Sequence, residues 1–259
     1  MVSAIEDLRS QGATSFIFDV RGNPGGLLNI AIQMANVFVK EGETLLRVEE
    51  RGEEPLVYTS NDALYGKFKV TEPSVLLINE GSASASEILA GAMNETADIP
   101  LVGTKSFGKG TIQNIKTLQT TGELKLTIGK WLTPNGNWVH EKGIQPTEEI
   151  ELPDYVHLLM IDSDKTYKEN DLSPEVENIE QILKALDYST GEIDGLYDQE
   201  TVKAVKHFQR DEKLEETGQV TGETALKLVE KLRELIEKND TQYEAAKKTL
   251  LKIVEPDEK

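Results

Sequence analysis

The run Ser74-Val75-Leu76-Leu77-Ile78-Asn79 limits the fold more than any other stretch of this sequence. Its four central residues are apolar without alternation. A strand wetted on one face alternates polar and apolar side chains, whereas a strand covered on both faces does not. The run is short for a helix and is followed by Glu80-Gly81, so it reads as a strand inside a covered sheet. Covering both faces requires helices in the connections, and the flanking sequence provides them.

Residues 2–11 place Val2, Ile5 and Leu8 on one helical face. Residues 15–20 read as a short strand, broken by Arg21-Gly22-Asn23-Pro24-Gly25-Gly26. A helix is expected over 27–38 and a hairpin from 44–50 and 55–59. A helix over 85–95, a strand over 99–103 and two further strands over 111–119 and 123–133 follow. Alternating strands and helices make residues 1–152 an α/β domain. Residues 153–174 are polar and acidic and read as a linker. From residue 175 the period turns helical, with Val176, Ile179, Ile182, Leu183 and Leu186 on one face. Helices around 202–209 and 225–238 complete a second, small all-α domain over 175–238. Residues 239–259 read as a charged C-terminal tail, helical at its start.

The length of 259 residues suits one large or two small domains. The net charge of −18 repels nucleic acid and anionic lipid, so neither is an expected partner. The absence of cysteine removes disulfides, thiolate metal sites and a cysteine nucleophile together. No run of about 18 apolar residues provides a transmembrane helix. The first 15 residues read as an amphipathic helix, not as a signal peptide.

Chemistry-bearing residues cluster in Gly81-Ser82-Ala83-Ser84-Ala85-Ser86-Glu87. Ser84 and Glu87 have the spacing of a capping box, and Ser82 and Ser86 are small enough to let strand and helix pack closely. The same position suits a nucleophile. Free amides and the dipole at a helix N-terminus favour a developing oxyanion, and the alanines leave room for a substrate. A serine nucleophile needs a base. His140, His157 and His207 stand in no glycine-rich turn and beside no evident orienting acid. Lys109, between Gly108 and Gly110, is either a solvated turn lysine or a base whose neutral form is favoured by burial against an apolar wall. If residues 109–115 are extended, Lys109, Thr111 and Gln113 share one face.

Residues 81–92 followed by Gly103-Thr-Lys-Ser-Phe-Gly-Lys-Gly-Thr-Ile-Gln113 strongly resemble the C-terminal processing (tail-specific) peptidases, serine–lysine proteases with a crotonase-like core. The resemblance implies Ser84 as nucleophile, Lys109 as general base, 25 residues on (109 − 84), and Gln113 as third member. Residues 19–26 are similar to the family's glycine loop, which implies oxyanion amides from Gly25 or Gly26 together with Ala85. Asp19 and Arg21 then read as a structural ion pair. Residues 124–146 are similar to the strand pair closing the family's core. No metal or organic cofactor is implied. The family carries a helical region and a PDZ domain ahead of the matching segment, and neither is visible here. The expected activity is therefore endopeptidase cleavage of C-terminal regions or exposed loops of envelope or spore-signalling proteins. The alternative is a weak or inactive fragment serving as a wall-binding or interaction scaffold. A crotonase-type acyl-thioester enzyme, sharing the core, is disfavoured by the Ser-Lys-Gln set.

Residues 179–228 resemble the three-helix peptidoglycan-binding domain of bacterial wall enzymes, carried by Leu183, Gly195, Tyr197, Thr201, Phe208 and Gly218 among others. The family has glycine where Asp198 stands, and aspartate tolerates the left-handed conformation such a turn needs. The resemblance implies peptidoglycan as a further partner, or a homodimer through the C-terminal region, and an extracytoplasmic location in a bacterial periplasm, envelope or spore intermembrane space.

Overall fold

The computed structural model describes residues 1–118, 121–158 and 160–255. In chain order its regular elements are α1 (Val2–Ser10), β1 (Phe16–Asp19), α2 (Leu28–Phe38), β2 (Thr44–Glu50), β3 (Leu56–Thr59), α3 (Asp62–Tyr65), β4 (Ser74–Ile78), α4 (Ala85–Glu95), β5 (Leu101–Gly103), β6 (Thr111–Thr117), β7 (Glu123–Leu132), β8 (Glu148–Glu149), α5 (Pro174–Ala185), α6 (Gln199–Asp211), α7 (Gly222–Lys238) and α8 (Thr241–Val254). The chain divides into two compact units, one of Met1–Glu151 with the chain from Gln242, the other of Leu152–Thr241.

In the first unit a parallel sheet runs in the order β1-β4-β5-β8. Its second strand, β4, is the unalternating apolar run, and every residue of it is buried. Leu76 and Ile78 enter a core with Ala35 of α2 and Leu89 and Met93 of α4. Val75 and Leu77 enter a separate core with Val102 and with Ala245, Ala246 and Leu250 of α8. Each of these large apolar side chains contributes about 1.5–3 kcal/mol by leaving water. The run is apolar throughout because helices cover both faces of its strand.

The second cover is where the structure departs from the sequence reading. The expected charged tail over 239–259 supplies α8, which folds into the first unit. Its apolar stripe is faint in the sequence because alanines carry much of it, in a stretch rich in lysine. Gln242, 1% exposed, anchors the start of α8 by donating to the Ile150 carbonyl at 2.8 Å. Thr249 Oγ1 donates to Glu148 at 2.5 Å. Residues 256–259 of that tail, Gln119 of the expected strand over 111–119 and Leu159 of the expected linker lie outside the described residues.

A second sheet in the first unit is antiparallel, in the order β3-β2-β7-β6. Its β6–β7 ladder carries a register shift between Ile112 and Gln113. In the second unit α5, α6 and α7 surround Val176, Ile179, Ile182, Leu183, Val205 and Phe208, with Leu186 only partly buried beyond the end of α5. The expected linker is part of this unit. Tyr167 is buried in its core, Tyr155, Leu158 and Ile161 pack against it, and residues 167 and 172 form bridges to 220 and 196. These apolar residues follow neither helical nor strand spacing, which is why the segment read as a connection. Asp198 does not adopt the left-handed turn. It is extended, at φ −90°, and caps α6 by accepting from the amides of Glu200 and Thr201, both at 2.8 Å.

Candidate active site

Ser84 ends the turn between β4 and α4 and is the N-cap residue of that helix. Its backbone stands at φ 55°, ψ −112°, a conformation that costs a non-glycine residue about 1–3 kcal/mol and persists only where neighbours hold it. The neighbours are specific. Ala83 N–H and Ser86 Oγ both donate to the Asn23 carbonyl at 3.0 Å. Ser82 Oγ donates to the Val20 carbonyl at 2.7 Å, and Asn79 Oδ1 accepts from the amides of Gly22 (2.7 Å) and Gly81 (3.0 Å). The glycine loop after β1 is thus laced to the serine turn. Ser82 and Ser86, expected as small packing residues, act through their hydroxyls.

Gly25 is required by this approach. At φ 94° it lies so close that a Cβ there would stand 2.5 Å from the Ala83 carbonyl oxygen and 2.7 Å from the Ala85 nitrogen. Its own N–H donates to Asn23 Oδ1 at 2.9 Å. Asp19 and Arg21, at the head of the loop, form an ion pair at 2.8 Å, and Arg21 Nη1 also donates to Gln242 Oε1 at 3.1 Å.

Glu87 joins the serine turn to the lysine loop. It is fully buried, and four donors converge on its two oxygens. Ser84 N–H (2.8 Å) and Lys109 N–H (2.8 Å) donate to Oε2; Ser106 Oγ (2.6 Å) and Gly108 N–H (2.7 Å) donate to Oε1. One carboxylate therefore fixes both segments by charge-assisted bonds. The S-x-x-E spacing signals the bond to Ser84; the three bonds from 106–109 join residues about 20 apart and leave no local pattern.

Ser84, Ala85, Gly26, Lys109, Thr111 and Gln113 line one cavity of about 280 Å³. Leu27, Leu28, Ile88, Ile112, Ile115 and Trp131 form its apolar wall, and Lys125 completes the lining. Of the residues expected as nucleophile, base, third member or oxyanion donor, all but Gly25 are in this lining; Gly25 packs against the backbone of Ala83 and Ala85. Lys109 precedes β6, so a single extended face does not account for the grouping. The register shift at Ile112/Gln113 lets Ile112 face the same space as Thr111 and Gln113, as bulges beside functional sites do. His140, His157 and His207 are not in the lining. Neither Trp131 nor the apolar wall carries a signal in the sequence, because a tryptophan in a strand has a core role available at almost any position.

Residues 1–150 match the profile described as peptidase family S41, and residues 173–228 match that of a putative peptidoglycan binding domain. The carboxy-terminal processing protease CtpA of Bacillus subtilis is 44% identical over 253 residues, which is 97% of this chain and 53% of that protein. A probable CtpA-like serine protease of Staphylococcus epidermidis is 39% identical, over 92% of this chain and 48% of its own length. The chain spans about half the length of these curated relatives. Among solved structures, a photosystem II D1 C-terminal processing protease superposes with a TM-score of 0.51 at 28% identity, covering 58% of this chain and 39% of that one. Among the described residues, no helix is long and apolar enough to cross a membrane. By the profile over residues 1–150 and the identity to CtpA, this chain belongs to peptidase family S41.

Proposed function

We propose that the first unit is the catalytic part of a serine endopeptidase in which Ser84 is the nucleophile and Lys109 the general base. The observation that carries this reading is the cavity itself, in which Ser84 and Lys109 share a wall free of histidine while their backbones hang from one buried carboxylate. In its neutral form the Lys109 amine takes the proton of Ser84 Oγ as that oxygen attacks a peptide carbonyl. The oxyanion forms at the N-terminus of α4, where Ala85 N–H, at the first helical position, has no carbonyl partner within the helix. Gly26 is the better second donor, because it lines the cavity with Ser84 whereas Gly25 gives its N–H to Asn23. The lysine ammonium then protonates the leaving amine, and water, deprotonated by the same lysine, resolves the acyl-enzyme. Gln113 accepts from the lysine amine and holds it toward Ser84.

The apolar wall suits a substrate with an apolar side chain beside the scissile bond, within an unfolded C-terminal region or loop of an envelope protein. The second unit retains the chain on peptidoglycan in an extracytoplasmic compartment of a bacterium. Incubation with an unfolded protein ending in apolar residues tests the reading. Cleavage that Ser84→Ala and Lys109→Ala each abolish supports it. Cleavage surviving both substitutions overturns it. Retention on purified peptidoglycan without any cleavage favours the alternative, a wall-bound scaffold.

A further inference from the structure

The chain has two tryptophans, and both donate their indole N–H to consecutive carbonyls of the lysine loop. Trp131 Nε1 donates to the Lys109 carbonyl at 2.9 Å, and Trp138 Nε1 donates to the Gly110 carbonyl at 3.1 Å. The two bonds are not equivalent. The Gly110 carbonyl has a second donor, the backbone N–H of Trp131 at 3.1 Å, so it stays bonded without Trp138. Among the described residues the Lys109 carbonyl has one donor, the Trp131 indole. Trp131 is 2% exposed, whereas Trp138 is 41% exposed. The fit at Gly110 is close, since a Cβ there would lie 2.7 Å from His140 N and 2.9 Å from Trp138 Nε1.

We infer that Trp131 is a positioning residue for Lys109, fixing the direction of the base toward Ser84 through the lysine's own carbonyl. This rests on the reading of Lys109 as base. The peptide plane before Lys109 is held through its N–H by Glu87, on the helix that carries the serine. The plane after it is held through its carbonyl by Trp131 on β7. With both planes fixed, the Cα–Cβ direction of Lys109 is fixed, and the long side chain starts from one point in one direction. The Trp131 ring also lines the cavity, so the group that orients the lysine walls the space the amine enters. Losing the indole donor frees the second plane to rotate and lets the amine leave line with Ser84 Oγ, an error of the size that lowers rate without weakening substrate binding.

The experiment measures phosphonylation of Ser84 by a fluorophosphonate probe, at saturating and at limiting probe, together with the thermal transition. Trp131→Phe keeps the ring and removes the donor. It is expected to lower the maximal labelling rate about tenfold, with the half-saturating concentration unchanged. Trp138→Phe is expected to change the maximal rate by less than about twofold, because the Gly110 carbonyl keeps its other donor. A Trp131→Phe rate equal to wild type overturns the inference, and so do equal losses in the two variants. Should Trp131→Phe not fold, the Trp138→Phe chain grown with β-(benzothiophen-3-yl)alanine in place of tryptophan replaces the remaining indole N–H by sulfur at nearly constant shape. The same tenfold loss supports the inference and no loss overturns it. A wild-type chain that is not labelled at Ser84 at all removes the serine–lysine reading, and this inference with it.

Discussion

Among the described residues each unit buries one glutamate completely, and the two glutamates do similar physical work with different consequences. Glu180 of the second unit accepts from the amides of Asp194 (3.3 Å) and Gly195 (3.0 Å) and from Thr201 Oγ1 (2.9 Å), fastening a turn to the start of α6. Glu87 of the first unit fastens a turn and a loop in the same manner with four donors. The turn held by Glu180 presents Asp194 and Gly195 to the start of α6, whereas the segments held by Glu87 bring Ser84 and Lys109 to one cavity. A buried, saturated carboxylate is therefore a structural device in itself, and chemistry depends on what the fastened loops carry. Gln209, fully buried among Gly218, Thr217, Gln219 and Thr224, is a neutral version of the same device.

The largest effects belong to the residues carried, not to the fasteners. Ser84→Ala and Lys109→Ala are each expected to lower peptide hydrolysis by at least about 10³-fold while leaving the thermal transition within a few degrees. Next come the fasteners, which break the symmetry between the units. Glu87→Gln sets its NH2 against a backbone N–H whichever oxygen it replaces and costs its unit about 1–3 kcal/mol, whereas Glu180→Gln can turn its NH2 to the Thr201 hydroxyl, which accepts, and costs its unit about 1 kcal/mol. Only Glu87→Gln is expected to slow hydrolysis as well, by about 10–100-fold through a displaced Lys109. Equal stability losses with equal rates would show that the serine and lysine loops keep their geometry without the carboxylate.

What the sequence made legible follows from which contacts are local. The strand–turn–helix around Ser84 announced itself through an apolar run, a glycine break and a capping spacing, all within about 20 residues. The linkage of Glu87 to Ser106, Gly108 and Lys109 did not, because a carboxylate with one local partner gives no sign of three distant ones. The cover on the far side of β4 was invisible for a related reason. The run required some helix there, but α8 lies more than 160 residues downstream and buries chiefly two alanines, a glutamine and one leucine. In the second unit the core period was legible in α5 and α6, while the irregular contribution of Tyr167 was not.

The cover by α8 gives a smaller and sharper test. Leu250, 8% exposed, packs in the core that buries Val75 and Leu77, and Leu228 is fully buried in the second unit. Leu250→Ala is expected to cost the first unit about 2–3 kcal/mol, and Leu228→Ala to cost the second about 2–5 kcal/mol. Calorimetry that follows each unit's transition reads both. A Leu250→Ala chain with an unmoved first transition would mean that α8 does not seal the sheet.

The smallest difference is one of pH, and the two units bear it at opposite ends of the scale. In the first unit Arg9 grips Glu72 with two bonds, Nε to Oε1 at 2.6 Å and Nη2 to Oε2 at 2.8 Å. Chiefly through these bonds the Glu72 carboxyl is pulled from an ordinary 4.5 down to about 2. A carboxyl depressed by folding contributes stability that is complete above its unfolded value and disappears as pH falls from about 4.5 to about 2. In the second unit burial, and then a bond to Asp211 at 2.9 Å, push the Tyr188 hydroxyl from 10 up to about 12. That contribution is complete below pH 10 and disappears as pH rises toward 12. Both groups are partly solvated, so each increment shrinks to about 1 kcal/mol. Glu72→Gln should flatten the acid limb of the first transition and leave the alkaline limb of the second unchanged, while Tyr188→Phe should do the reverse. An acid limb that persists undiminished in Glu72→Gln would mean that the Arg9–Glu72 pair is not the source of the first unit's acid sensitivity.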